Sequence, residues 1–221
     1  MRLVTFSDAN GMRIGVHDAA SNTIVDLAAT TRLPKDMTSF IALGKNGLKR
    51  ARAAVRSGEG RLPFGGVRLH APIPRPAKNI LYVGENYYDH VYGYTIINDA
   101  TARTLQKEHR QWFLGKSLDG YCPMGPCIVT ADEVPDVTKL HLITRVNGEV
   151  RQDALVSELI FDIPTLIETL SRVMTLDPGD LLATGTCVGV GIGFNPPKYL
   201  QKGDRVAITI EPIGTLENPV D

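Results

Sequence analysis

The stretch from Asn98 to Ser117 holds the residues with the most chemistry in them. Asn98-Asp99-Ala100-Thr101-Ala102-Arg103, then Leu105-Gln106, then Trp112-Phe113-Leu114-Gly115-Lys116-Ser117 put an acid, an amide and a lysine into a short span between an apolar strand and a turn. An aspartate can hold a hard cation and a lysine can meet an oxyanion, which are the two needs of a keto substrate bearing a carboxylate. Plainer readings stand beside this one. Asp99 follows the apolar run 94–98 and precedes a helical pattern, where Asp and Thr commonly cap free N–H groups. On residue type alone Lys116 reads first as a surface lysine. The Gly115-Lys116-Ser117 triplet is not the end of a phosphate loop, because that loop needs a glycine at position 110 and Arg110 stands there. His90 closes Gly84-Glu85-Asn86-Tyr87-Tyr88-Asp89-His90, just past a strand pattern. A lone histidine is usually structural, but one in such a loop is a candidate general base.

Bulk properties narrow the class. With 221 residues the chain has ample length for a core. Lys+Arg and Asp+Glu are both 24, so no net field draws nucleic acid or an acidic membrane surface. The three cysteines, Cys122, Cys127 and Cys187, form no CxxC pair and cannot all pair within the chain, which fits a reducing cytoplasm. No apolar run approaches a membrane span or a signal peptide.

The elements that must position these residues fall into two regions. Residues 1–70 read as a small N-terminal α+β domain. Short strands at 3–6, 13–17 and 23–27 are separated by turns at Asn10-Gly11 and Ser21-Asn22. A basic amphipathic helix follows over 43–55, its charged side reading as a solvated face rather than a nucleic-acid site. Ala71-Pro72-Ile73-Pro74-Arg75-Pro76 reads as a semi-rigid linker into the second region, 71–221. That region is mostly β, with strands expected at 79–83, 91–97, 140–146, 149–152 and 181–184, and alternating apolar residues Val206, Ile208 and Ile210. Asn147-Gly148 is the strongest hairpin signal in the chain. Helices are expected at 101–108 and from Pro164 through 174. Gly189-Val190-Gly191-Ile192-Gly193-Phe194 cannot open a dinucleotide-binding helix, because Asn195-Pro196-Pro197 follows. It reads as a loop that lets backbone approach a ligand or another strand.

Taken together, the motifs resemble the fumarylacetoacetate hydrolase family. The resemblance is carried by Val83-Gly84, Asn86-Tyr87 and His90, then Asn98-Asp99, Ala102-Arg103 and Gln106, then Gly115-Lys116-Ser117. Pro123-Met124-Gly125-Pro126, Val146-Asn147-Gly148-Glu149-Val150-Arg151-Gln152, Ile160-Phe161, Pro178-Gly179-Asp180 and Ala183-Thr184-Gly185-Thr186 continue it, as do Pro196-Pro197, Gly203-Asp204 and Ile213-Gly214. It implies a mixed β-sandwich roll, usually a homodimer, that binds Mg2+ (Mn2+ or Ca2+ being alternatives) and acts on a short 2-oxo acid. C–C hydrolysis of an acylpyruvate-like 2,4-dioxo acid is the favoured reaction. Isomerisation of a hydroxymuconate or hydroxyheptadienedioate type and oxaloacetate-type decarboxylation are its rivals, and an inactive binding module is the non-enzymatic alternative. Carried over by position, Asp99 would be a metal ligand, His90 the base, and Lys116 the group that polarises substrate. Gln106, Gly185 and Thr186 would contact substrate.

One departure from that pattern stands out. The resemblance implies two further metal-binding glutamates on a Glu-x-Glu strand, and a lid helix with its own glutamate, between the histidine and Asn-Asp segments. Here His90 is followed at once by Val91-Tyr92-Gly93-Tyr94, a loop joined to a strand with no turn chemistry between them. The sequence reads as though several dozen residues were missing at that junction. Glu85 is a smaller departure, at a position where the pattern is more often apolar or basic.

Overall fold

The computed structural model describes residues 1–76, 91–109 and 112–221. In chain order its strands and α-helices are β1 (Arg2–Asp8), β2 (Gly11–Asp18), β3 (Thr23–Asp26), α1 (Leu27–Thr31), α2 (Met37–Ile41), α3 (Gly44–Ser57), β4 (Arg61–Pro63), β5 (Arg68–His70), β6 (Gly93–Ile97), α4 (Arg103–His109), α5 (Trp112–Lys116), β7 (Met124–Thr130), β8 (His141–Val146), β9 (Glu149–Leu155), α6 (Ile163–Ser171), β10 (Arg205–Ile210) and β11 (Gly214–Pro219). The fold is α+β and mostly β. Seven strands form one sheet in the order β4-β3-β2-β1-β7-β6 with β5 also on β1, and four form a second, β11-β10-β8-β9. Every strand pairing among the described residues is antiparallel.

Strand β1 explains the layering. Leu3, Val4, Thr5 and Phe6 are all buried, a continuous run rather than an alternation, because both faces of the larger sheet are covered. The period of two sorts them. Leu3, Val25 and Ile128 face the helices, packing with Met37, Phe40 and Ala51. Their neighbours Val4, Ile24 and Val129 face the smaller sheet, packing with Val206, Ile208 and Leu216. The chain is therefore three layers deep: helices, large sheet, small sheet.

β1 also ties the two regions together. Leu3 lies opposite Ile128 and Arg2 opposite Val129, so residues on both sides of position 70 share one sheet. The stretch 71–76 is less of a linker than its prolines suggest. Ile73 is 3% exposed and packs in the helix-side core, and the buried Thr5 hydroxyl donates to the Pro72 carbonyl at 2.7 Å. The strands expected in residues 1–70 form as β1–β3, and the basic helix forms as α3. Its Arg52 pairs with Asp132 at 2.5 Å, and its Arg50 donates to the Thr31 carbonyl at 2.5 Å. Asn147 and Gly148 both take positive φ, 51° and 86°, in the tight β8–β9 turn that their residue types require. The strand expected at 181–184 is reduced to a bridge at residue 182. Gly185 at φ 106° turns the chain out of an extended path immediately afterwards. The strand expected at 79–83 lies outside the described residues.

Arg13 on β2 ties three neighbouring strands of the large sheet together, through Asp8 on β1 and Asp26 on β3. Its guanidinium bonds Asp26 at 2.5 Å and Asp8 at 2.7 and 2.8 Å, with Arg13 and Asp26 both under a tenth exposed. Removing one partner of a buried pair leaves an uncompensated charge, so Arg13→Met should cost about 3 kcal/mol or more in a urea titration. The Arg13 hydrogen bonds and the Asn10 amide hold the Asp8 carboxyl down at about 2. A depressed carboxyl stabilises the fold above its unfolded value of about 3.9 and loses that contribution as pH falls toward 2. Urea midpoints measured from pH 5 to 2 should fall less steeply in Asp8→Asn than in the parent chain.

Candidate active site

Asp99 and Lys116 meet directly. The Lys116 ammonium donates to Asp99 Oδ2 at 2.5 Å and to the Thr101 hydroxyl at 3.1 Å. The Asp99 and Lys116 side chains are 31% and 17% exposed, so the pair is reachable by a ligand yet not fully screened by water. Asp99 is no helix cap: α4 starts four residues later, at Arg103. The loop between them is held in shape from three sides. Asn98 N–H donates to the Pro123 carbonyl at 2.9 Å, Ala102 N–H to the Gly115 carbonyl at 2.8 Å, and the Thr101 hydroxyl to the Asp99 carbonyl at 3.3 Å.

Gly115 is what lets the lysine arrive. A Cβ at this position would lie 2.9 Å from Gln106 Cβ and 3.0 Å from the Ala102 carbonyl. Only glycine allows α5 to press onto α4 at this distance, and Lys116 is the next residue. The same contact packs the Gln106 stem against Gly115, and its side-chain oxygen accepts from Arg103 at 2.9 Å. Asp99 and Lys116 form one cluster, and Gln106 is turned toward Arg103. Two residues of the cluster's surroundings went unread in the sequence. Thr101 bonds the lysine, and its signal was a hydroxyl two positions after the aspartate. Cys122, held at φ 56°, lies within electrostatic reach of Asp99 and Lys116, and burial pushes its thiol up.

Gly185 and Thr186 come from a separate loop. Gln152 on β9 fastens it, donating to the Thr186 hydroxyl at 2.9 Å and to the Cys187 carbonyl at 3.3 Å. The glycine run beyond does what its composition suggests and approaches a strand. A Cβ on Gly189 would fall 1.8 Å from the Arg151 carbonyl of β9, and one on Gly191 would fall 2.4 Å from the Lys198 carbonyl. Phe194 closes the loop under the Arg151 guanidinium and the Lys198 ammonium, at 5.4 and 5.0 Å from the ring centre. Both clusters line one open cavity of about 3760 Å³. That is several times the size of a small-ligand pocket, so its polar groups rather than its walls define the ligand's place. His90 lies outside the described residues, and with it the junction to Val91.

No group of three His, Cys, Asp or Glu side chains that could hold an ion comes together among the described residues, and the Asp99 carboxylate is engaged by Lys116. These residues alone do not fit a tightly held bivalent cation, which takes more oxygen ligands than one paired carboxylate supplies.

Residues 33–221 match the family described as Fumarylacetoacetate (FAA) hydrolase C-terminal. The chain belongs to the fumarylacetoacetate hydrolase family. A fumarylacetoacetate hydrolase from Exiguobacterium antarcticum has the same fold, with 33% identity, a TM-score of 0.81, and coverage of 100% of this chain and 99% of that one. A maleylpyruvate hydrolase from Sphingobium sp. SYK-6, solved with manganese(II) and pyruvate, is 29% identical with a TM-score of 0.79 over 100% of this chain and 98% of that one. Family enzymes similar to this chain thus include hydrolases, and an oxaloacetate tautomerase of Bacillus subtilis is a further relative. It is 42% identical over 220 residues, 70% of this chain and 73% of the relative. Seventy per cent of 221 residues is about 155, so the aligned stretch is about 65 residues longer than the part of this chain it matches. A Staphylococcus epidermidis protein is 56% identical over 128 residues, and there the chain spans 42% of the relative's length.

Among the described residues no helix is long and apolar enough to cross a membrane.

Proposed function

We propose that this chain acts on a short 2-oxo acid, cleaving a C–C bond of an acylpyruvate-like 2,4-dioxo acid by way of an enolate. The observation that carries this reading is the Asp99–Lys116 pair at 2.5 Å. Cleavage next to a carbonyl places negative charge on the keto oxygen, and a cation held ready stabilises it most. Lys116 is that cation. Asp99 and Thr101 fix its ammonium in place, so little reorganisation is needed when charge develops. Gln106 and Thr186 would offer hydrogen bonds to the substrate's oxygens, with the Gly185 backbone beside them. His90 would take or return the proton.

Mg2+, or Mn2+ or Ca2+ in its place, is proposed as an ion to which Asp99 brings one carboxylate and the substrate brings others. Manganese and pyruvate in the Sphingobium neighbour support that reading. The further glutamates of the family pattern belong to a segment that we propose is missing between His90 and Val91. The longer aligned stretch of the Bacillus relative supports this. We further propose two regions divided near residue 70, a homodimer, and a cytoplasmic setting consistent with three free cysteines.

The Bacillus tautomerase favours a second reading, keto–enol isomerisation, which needs the same enolate but no attacking water. Thermal melts with Mg2+, with oxalate as a pyruvate-enolate mimic, and with both together test the site itself. The pair should raise Tm more than either alone. No shift with any of them would favour an inactive binding module.

A further inference from the structure

We propose that Gln152 is a positioning residue, which fixes Thr186 as a hydrogen-bond donor aimed at an anionic oxygen of the bound 2-oxo acid. This deepens the reading above and rests on Thr186 meeting the ligand. The orientation of the amide follows from its neighbours. A carbonyl only accepts, so the Cys187 oxygen at 3.3 Å requires the Gln152 nitrogen on its side. That turns Gln152 Oε1 toward Thr144, whose hydroxyl donates to it at 2.9 Å. Thr144 is 6% exposed and stands directly opposite Gln152 in the β8–β9 pairing, at the point where the register shifts. The anchor therefore sits inside the sheet. The second amide hydrogen then goes to Thr186 Oγ1 at 2.9 Å.

A hydroxyl oxygen that already receives a hydrogen keeps its own to give. Within the protein it donates to the carbonyl of Cys187 at 3.4 Å, which is long for a hydroxyl donor. A carboxylate or enolate oxygen would form a shorter, charge-assisted bond and capture it. Gln152 thus sets the polarity of Thr186, turning a group that can donate or accept into a donor. The close approach of Gly189 to Arg151 holds the same loop to the same strand, so the geometry is braced at two neighbouring residues.

The test is a double-mutant cycle on oxalate affinity in the presence of Mg2+, using the full chain, with Tm measured for every variant. Thr186→Val should weaken oxalate about tenfold, the value of one hydrogen bond to a charged group. Gln152→Met should weaken it about fivefold in the parent but less than twofold in the Thr186→Val background. Thr144→Val, which removes only the anchor of the amide, should show the same non-additivity at smaller size, and decides the matter if Gln152→Met does not fold. Additive effects would make Gln152 a merely structural residue, overturning the inference while leaving the role of Thr186 intact. An unchanged affinity in Thr186→Val, or no oxalate binding by the parent, would overturn both the inference and the site reading beneath it.

Discussion

Replacing Lys116 by methionine should slow enolisation of a 2-oxo acid a hundred- to a thousand-fold, the range found when a preorganised oxyanion partner is removed. The effect should fall mainly on the catalytic rate, because the ammonium matters most once charge has moved onto the keto oxygen. Stability should change little. The pair is partly exposed, and partly exposed ion pairs contribute at most about 1 kcal/mol. Lys116→Arg should recover only part of the rate, since a planar guanidinium cannot occupy the point between Asp99 and Thr101 that an ammonium fills. Proton–deuterium exchange at the carbon next to the keto group, followed by NMR, reads this step whichever product the chain makes. A rate within threefold of the parent in Lys116→Met would remove the lysine from the chemistry.

The largest loss of stability should come from Gly189→Ala. Its Cβ would lie 1.8 Å from the Arg151 carbonyl, and the residue sits at φ 100°, where a side chain is strained in any case. Neither atom has room to give way, because the carbonyl is backbone and the Cβ is fixed directly to backbone. The loop must lift from β9, at a cost of about 3 kcal/mol or more from overpacking and strain together. Lifting it also carries off Thr186 and breaks the Gln152 contacts. A urea titration and an oxalate titration should therefore fail together in this variant, whereas Lys116→Met should leave the urea midpoint nearly unmoved. A midpoint unchanged by Gly189→Ala would mean that the loop is not seated on β9 as described.

These two residues show what the sequence could and could not reveal. Local signals read well. Asn147-Gly148 demanded a tight hairpin, and the run Gly189–Phe194 was recognisable as a backbone approach rather than a nucleotide motif. The partner of that approach was not legible, because Arg151 is nearly forty positions away and contributes only its carbonyl. Long-range pairing stayed hidden for the same reason. Nothing in Leu3 or Ile128 announces that they face each other across the middle of a sheet, and so the proline stretch 71–76 read as a linker although Ile73 is core. Asp99 and Lys116 were legible as members of one site, but as a metal ligand and a substrate-polarising lysine; their ion pair was not. Gln152 was read only as part of the Val146–Gln152 motif, with no role of its own, because the role proposed for it is exerted through Thr186. A residue that acts through another carries no chemical signature of its own; its signal is geometric, a cross-strand register that only the fold supplies.

Incubating the chain with pyruvate in D2O and following the methyl signal by proton NMR tests the central claim most directly. An enolate held at the Asp99–Lys116 pair should wash deuterium into the methyl group far faster than buffer does, and Lys116→Met should return the rate almost to that of buffer. A parent chain that binds oxalate yet leaves the methyl signal at the buffer rate would contradict the account.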